Sequence, residues 1–241
     1  MSTYKMYNKK QLQAVAEELL QQYRDKMSQK HSNDFDVYQV IEKCLRVDNE
    51  KINQYDWKRL SIDGSILGTT VFQTGYVDVF EDNYGNPTDT SRPLLVERGT
   101  ILIESSLSEK GPIGRENFTV MHEVFHWLLH QNYFTPLGKS VAVANRMDKF
   151  FKSRKPHKKF TTALERVEWQ ANYAAACFLM PEKDVCSAFN RMYALTKDCF
   201  AKNTLIKDMI KILAEAFHVT PKAMLYRILE MNEKGLLRTD F

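Results

Sequence analysis

The chain has 241 residues, with 34 Lys and Arg against 30 Asp and Glu, a formal net charge of +4. Apolar residues make up 44% and charged residues 27%, with only 9 Gly and 7 Pro. That excludes a disordered, collagen-like or linker-rich chain, and the length is enough to bury a core without disulfide staples. The four cysteines, at 44, 177, 186 and 199, lack C-x-x-C spacing, so neither a zinc knuckle nor a disulfide framework is expected. No run approaches ~18 apolar residues, and the start MSTYKMYNKKQ lacks the apolar stretch of a secretory signal. The expectation is a soluble, cytoplasmic protein with no membrane span.

In chain order, residues 8–28 read as a helix, because Leu12, Val15, Ala16, Leu19, Leu20 and Tyr23 recur at helical spacing among Glu, Gln and Lys. Asp36 is placed to cap a second helix carrying Val37, Val40, Ile41 and Leu45. Residues 64–80 are rich in β-branched and aromatic residues and broken by Gly68 and Gly75, which reads as strands with turns. Residues 81–93 read as a polar loop, and Thr100–Glu104 as a short strand. Helices are then expected at about 115–131, 139–153, 162–179, 182–193, 203–217 and 221–232. The fold class is α+β: helices, a small sheet, then a helical half.

The sharpest chemical signal is His122-Glu-Val-Phe-His126. On a helix the two imidazoles lie one turn apart on one face, a spacing that holds one Zn²⁺ without distortion. Glu123 is rotated by about 100°, so it reaches a water beside the metal rather than the metal. A zinc ion brings the pKa of a water it holds toward ~7, and a neighbouring carboxylate can take the proton. With six histidines in the chain, this pattern arises by chance in roughly one such chain in a hundred. The bland alternative is a pair of hydrogen-bonded structural histidines.

A catalytic zinc needs a third protein ligand and an open fourth position. The helix from Glu165 to Leu179 offers Glu168, on the same side as a stripe of Val167, Ala171, Ala174, Ala175 and Phe178. An acid beside such a stripe is costly unless it is paired or ligates a metal. Glu165 begins the helix, where solvent and the dipole suit an acid, so Glu168 is preferred. Asn172, one turn on, is a candidate partner for a ligating imidazole, and a satisfied helix Asn is the alternative. His130, one turn beyond His126, could also face the metal, although an outer role suits it better.

Arg115-Glu-Asn-Phe-Thr-Val-Met-His-Glu-Val-Phe-His-Trp-Leu-Leu-His130 resembles the active-site helix of the ImmA/IrrE family of metallopeptidases. Glu168-Trp-Gln-Ala-Asn-Tyr-Ala-Ala-Ala-Cys-Phe-Leu-Met-Pro181 is similar to the family's second signature, and Leu213–Arg227 to its tail pattern, with Ile228 where Leu is usual. The resemblance implies a zincin-like (gluzincin) core with His122, His126 and Glu168 as zinc ligands and Glu123 as catalytic base. It also implies a bacterial cytosolic peptidase, often carried on mobile elements; several members are taken to cleave a partner transcriptional repressor, which makes a helix-turn-helix repressor the candidate protein substrate. Two departures stand out. Phe125 occupies a position that is often Gly, and 42 residues separate His126 from Glu168, which suggests an inserted segment over the site.

Other features are weaker. Lys149–Lys159 holds six Lys/Arg and no acid, so subtracting it from +4 leaves the rest of the chain at −2. It suits an acidic partner or nucleic acid, although a solvated loop is the commoner reading. Residues 203–232 resemble helix-turn-helix geometry, with Thr220 as cap and Pro221 first in the second helix, but that helix is too apolar for a DNA reader. Tyr133, Tyr173 and Tyr226 are candidate oxyanion donors. Trp127 and Trp169, each next to an expected ligand, are expected to pack around the site. The expected organisation is a zincin-like domain over 1–195 and a helical subdomain over 196–241. The expected activity is zinc-dependent cleavage of a regulatory protein, with substrate pairing to Thr100–Glu104 as an edge strand. The rival is a non-cleaving regulatory module that binds a protein or DNA through the basic segment and tail.

Overall fold

The computed structural model describes residues 5–27, 35–47, 50–51, 54–110, 113–135, 142–146, 160, 162–196 and 202–238. Helix α1 (Lys9–Met27) buries the expected stripe of Leu12, Ala16, Leu19, Leu20 and Tyr23, together with Met27. Helix α2 (Val37–Cys44) starts where the Asp36 carboxylate accepts the Tyr38 N–H at 2.9 Å, and it buries Val37, Val40 and Ile41. Two short strands, β1 (Arg46–Val47) and β2 (Glu50–Lys51), pair antiparallel.

The main sheet is built from β3 (Tyr55–Lys58), β4 (Ile66–Val71), β7 (Ile101–Glu104) and β8 (Ala142–Arg146), in the order β3-β7-β4-β8. β3 runs parallel to β7, and the other two pairings are antiparallel. This corrects the expected edge position of Thr100–Glu104. β7 is an inner strand, with Ile101 opposite Tyr55 on one side and Leu102 opposite Thr69 on the other. All four of its residues are buried. An Ile-Leu-Ile run without alternation is what a strand covered on both faces needs.

A second correction concerns 139–153, where a helix was expected. Residues 142–146 form β8, paired with β4 from Ile66↔Arg146 to Val71↔Ala142. Their Ala content favours a helix locally, but the open hydrogen bonds of β4 lie nearby and outweigh a weak propensity. The remainder of that stretch and the basic run 149–159 lie outside the described residues. Gly68 is a third correction, because it sits within β4 and does not mark a turn. The polar stretch 81–93 is mostly strand: β5 (Gly75–Glu81) and β6 (Pro87–Val96) form a separate hairpin, turning at 82–86. Its Pro residues are tolerated because β6 pairs on one side only, with β5.

After β7 come α3 (Ser105–Lys110), α4 (Ile113–Phe134), α5 (Ala163–Leu179), α6 (Glu182–Thr196), α7 (Lys202–Ala216) and α8 (Pro221–Glu233). α4 lies across β4 and packs on α5, which also packs against α1. Phe125, at the position often taken by Gly, is fully buried and meets Phe178 edge-on at 6.3 Å. Trp127 stacks on Phe72, and Trp169 on Tyr173.

The tail shares this core. Thr220 caps α8 by accepting the Ala223 N–H at 3.2 Å, with Pro221 in its first turn. The α7–α8 turn, with His218 at φ +50, rests on the start of α4. There Asn117 donates to the His218 carbonyl at 3.1 Å, and a Cβ on Gly114 would lie 2.4 Å from the Val219 carbonyl carbon. Buried Arg227 donates to the Met180 carbonyl at the end of α5 and pairs with Glu230, both at 2.9 Å. Among the described residues no helix is long and apolar enough to cross a membrane.

Candidate metal centre

α4 carries His122, Glu123 and His126 on its buried side, and all three are inaccessible to solvent. α5 crosses α4 and brings Glu168 to the same point. Its carboxylate oxygens lie 3.4 Å from His122 Nε2 and 3.5 Å from His126 Nε2. One donor atom from each of the three residues lies within 4.8 Å of the others, the only such group of three among the described residues. Glu165, the weaker alternative, is exposed in the first turn of α5, where its N–H is taken by the Thr162 cap.

The surrounding hydrogen bonds fix how the imidazoles present themselves. His122 Nδ1 lies 2.9 Å from Asn172 Oδ1, and an amide oxygen accepts, so Nδ1 carries the proton and Nε2 a lone pair. Gln170 Oε1 accepts from His130 Nε2 at 3.0 Å, which leaves His130 Nδ1 as an acceptor. His126 Nδ1 donates to it at 3.0 Å, so His126 Nε2 also presents a lone pair. The two Nε2 atoms are 2.8 Å apart. Two lone pairs and a carboxylate therefore converge on one point, with the imidazoles buried and Glu168 partly exposed, and such a cluster is favourable only with a positive charge between them. This donor set, two imidazole nitrogens and one carboxylate, fits Zn²⁺ with an open fourth position. His130 takes the outer place, supporting His126, and Asn172, the candidate imidazole partner, supports His122 in the same way.

The electrostatics agree. Burial opposes the ionisation of Glu168, but the two imidazoles beside it hold its carboxyl below the usual carboxylate range. Burial opposes a charge on His122 too, yet the hydrogen bond and charge of Glu168 raise its affinity for a proton. Both shifts describe a pocket that favours a cation. Burial and then the charge of His126 push His130 down to about 3, so it stays neutral and can accept.

Glu123 is held from the sheet. Thr70 on β4 donates to Glu123 Oε2 at 2.6 Å, and its Oγ1 is also 3.1 Å from the Glu123 carbonyl oxygen. Glu123 Oε1 is buried and has no hydrogen-bond partner. Burial raises the Glu123 pKa, outweighing the neighbouring imidazoles and the Thr70 hydrogen bond. Gly68, on the same face of β4, makes the room: a Cβ there would lie 2.9 Å from Glu123 Cγ and 3.0 Å from Oε1.

A family model for the IrrE N-terminal-like domain, Peptidase_M78, matches residues 76–229, more than half of the chain. The chain belongs to the ImmA/IrrE family. Membership makes it a member of a metallopeptidase family, and the match spans α4 and α5 with all four expected site residues. No curated protein matches the chain closely enough to be named beside the family.

Sequence reasoning missed Thr70, Gly68 and Gln170. A glycine inside a β-branched strand signals close approach by another group, which is how Gly68 was legible in principle. Thr70 and Gln170 carry no local signal. Of the candidate oxyanion donors, Tyr173 has its hydroxyl on Glu230 at 2.7 Å, and Tyr133 packs edge-on against Phe134.

Proposed function

We propose that this ImmA/IrrE-family protein is a zinc-dependent endopeptidase with a gluzincin-type core, in which His122, His126 and Glu168 hold the metal. The observation that carries this reading is the convergence of two Nε2 lone pairs and the Glu168 carboxylate beside a buried, half-satisfied Glu123. A bound Zn²⁺ would supply a Lewis acid for the scissile carbonyl and a lowered pKa for water. Everything else falls to the chain. Asn172 and His130 keep the imidazoles in the ligating tautomer. Thr70 holds Glu123 by one oxygen, leaving Oε1 to take a proton from the attacking water and deliver it to the leaving amine. A structural zinc site would have no use for that carboxylate.

The substrate class proposed is a regulatory protein of the bacterial cytoplasm, with a helix-turn-helix transcriptional repressor as the leading candidate. A protease free in the cytoplasm must be selective, and reacting groups with no solvent access support selectivity. The test is co-expression with a candidate repressor encoded beside it, read by immunoblot for the intact repressor and its fragments. The unaltered protein cleaves it, and Glu123→Gln keeps its zinc and does not. Equal cleavage by Glu123→Gln would remove Glu123 from the mechanism. Zinc-loaded protein that binds the repressor without cutting it would favour the non-cleaving regulatory reading.

A further inference from the structure

His122, Glu123 and His126 have no solvent access, and the Glu168 carboxylate, 19% exposed, is the donor of the cluster that opens toward solvent. β4 is the strand that touches the reacting groups: Thr70 donates to Glu123, and Gly68 lies against its side chain. One side of β4 is paired with the inner strand β7. Its other side is the only one an incoming chain could use, and it is paired with β8, antiparallel, with Gly68↔Asn145, Thr69↔Ala144 and Thr70↔Val143. The backbone opposite Glu123's two sheet contacts is therefore this chain's own Val143–Asn145.

We propose that the outer edge of β4, Ile66–Val71, is the substrate-pairing edge of this protein, and that β8 is a resident strand which an extended substrate must replace. The inference rests on the peptidase reading and adds where substrate binds and which strand of this chain occupies that edge. Main-chain pairing along a sheet edge supplies affinity for an extended peptide of varied sequence. β8 meets that requirement from within. It comes from the long segment between the two site motifs, it pairs with β4, and the sheet β3-β7-β4 has its inner strand complete without it. Its tether gives it a high effective concentration, so only a partner with further contacts displaces it. That is a physical route to selectivity in a peptidase without a chamber.

The test has two parts. The probe for the first is a fluorescent synthetic peptide of residues 139–148, measured by anisotropy in a Glu123→Gln background so that it cannot be cut. In an antiparallel pair alternate N–H groups point at the neighbour, so of Val143→Pro and Ala144→Pro one removes a bond to β4, and both disfavour the strand. The expected result is peptide binding at least about tenfold tighter to a proline variant than to the chain with β8 intact. Equal binding, or none by any form, overturns the proposal. The second part needs no substitution and covers a proline variant that fails to fold. In the unaltered protein, β8 amides should exchange at least about 100-fold faster than those of inner β7. Equal protection would make β8 a permanent strand and overturn the proposal. The two readings fail separately. Repressor cleavage that depends on Glu123, with no peptide binding here, removes the edge assignment alone. Peptide binding here, with no cleavage there, leaves the edge standing and removes the peptidase.

Discussion

Gly114→Ala is a substitution for which local and tertiary reasoning give opposite signs. Gly114 lies in the first turn of α4, where Ala would ordinarily stabilise a helix by up to about 1 kcal/mol. The structure reverses this. The new Cβ would meet the Val219 carbonyl carbon at 2.4 Å, its Cα at 2.6 Å and the Thr220 nitrogen at 2.8 Å. All three are backbone atoms of the turn that docks the tail, so no rotamer relieves the clash. Restoring a normal carbon–carbon separation of ~3.5 Å means moving that turn by roughly 1 Å. The Asn117 bond to the His218 carbonyl and the Thr220 cap are both at risk in that move. Overpacking of this kind costs about 1–3 kcal/mol, and a backbone clash belongs at the upper end. After the helix gain, a net loss of about 2 kcal/mol remains. For a chain of this size that lowers Tm by about 4–8 °C. Thermal unfolding followed by circular dichroism, on both proteins in one buffer, measures it. A Tm equal to or above that of the unaltered protein would refute the docking of the tail against α4.

Thr70→Val keeps the shape of the side chain and removes the hydrogen bond to Glu123. A bond to a charged acceptor is worth about 1.5–3 kcal/mol, so kcat should fall about 10- to 150-fold with zinc content unchanged. An unchanged kcat would mean that Thr70 does not position the base. Glu230 carries a pH dependence. Burial opposes its ionisation, but the Tyr173 hydroxyl, Arg227 and Lys9 outweigh that and lower its pKa. A lowered folded-state pKa gives stability that is present above the unfolded value and lost as pH falls through the folded one. Glu230→Gln should therefore destabilise at pH 7, and the difference from the unaltered protein should shrink toward pH 3, measured by urea unfolding. A difference that is constant with pH would contradict the network. Burial pushes the Cys177 thiol up to about 11. At pH 8 iodoacetamide should label Cys44 and Cys186 but spare Cys177 until the protein unfolds, as peptide mass spectrometry would show. Rapid native labelling of Cys177 would mean that α5 is not packed as described.

What the sequence made legible follows how local each signal is. His122 and His126 stand one helical turn apart, so any helix there puts them on one face. Glu168 and Asn172 are legible for the same reason, since an acid and an amide one turn apart beside a small-residue stripe need partners. Thr70 is different. Its hydroxyl matters only because β4 passes under α4, a placement set by the whole sheet and by no nearby residue. The sheet order was hidden in the same way. Ile101-Leu-Ile103 could be read as a strand, but its parallel neighbour Tyr55–Lys58 comes from far upstream, so an inner strand passed for an edge. β8 was misread because Val141-Ala-Val-Ala-Asn145 contains Ala at alternate positions, and the bonds that make it a strand belong to β4. The β5–β6 hairpin stands largely in solvent, so its polar residues looked like a loop.

The most direct test of the account is X-ray absorption at the zinc edge of protein loaded with one equivalent of Zn²⁺. Two imidazole nitrogens and otherwise oxygen donors are expected, at about 2.0–2.2 Å, with no sulfur. Glu168→Ala should lose most of its zinc, whereas Glu123→Gln should keep it with an unchanged spectrum. A sulfur shell, a single imidazole, or full zinc retention by Glu168→Ala would contradict the site at His122, His126 and Glu168.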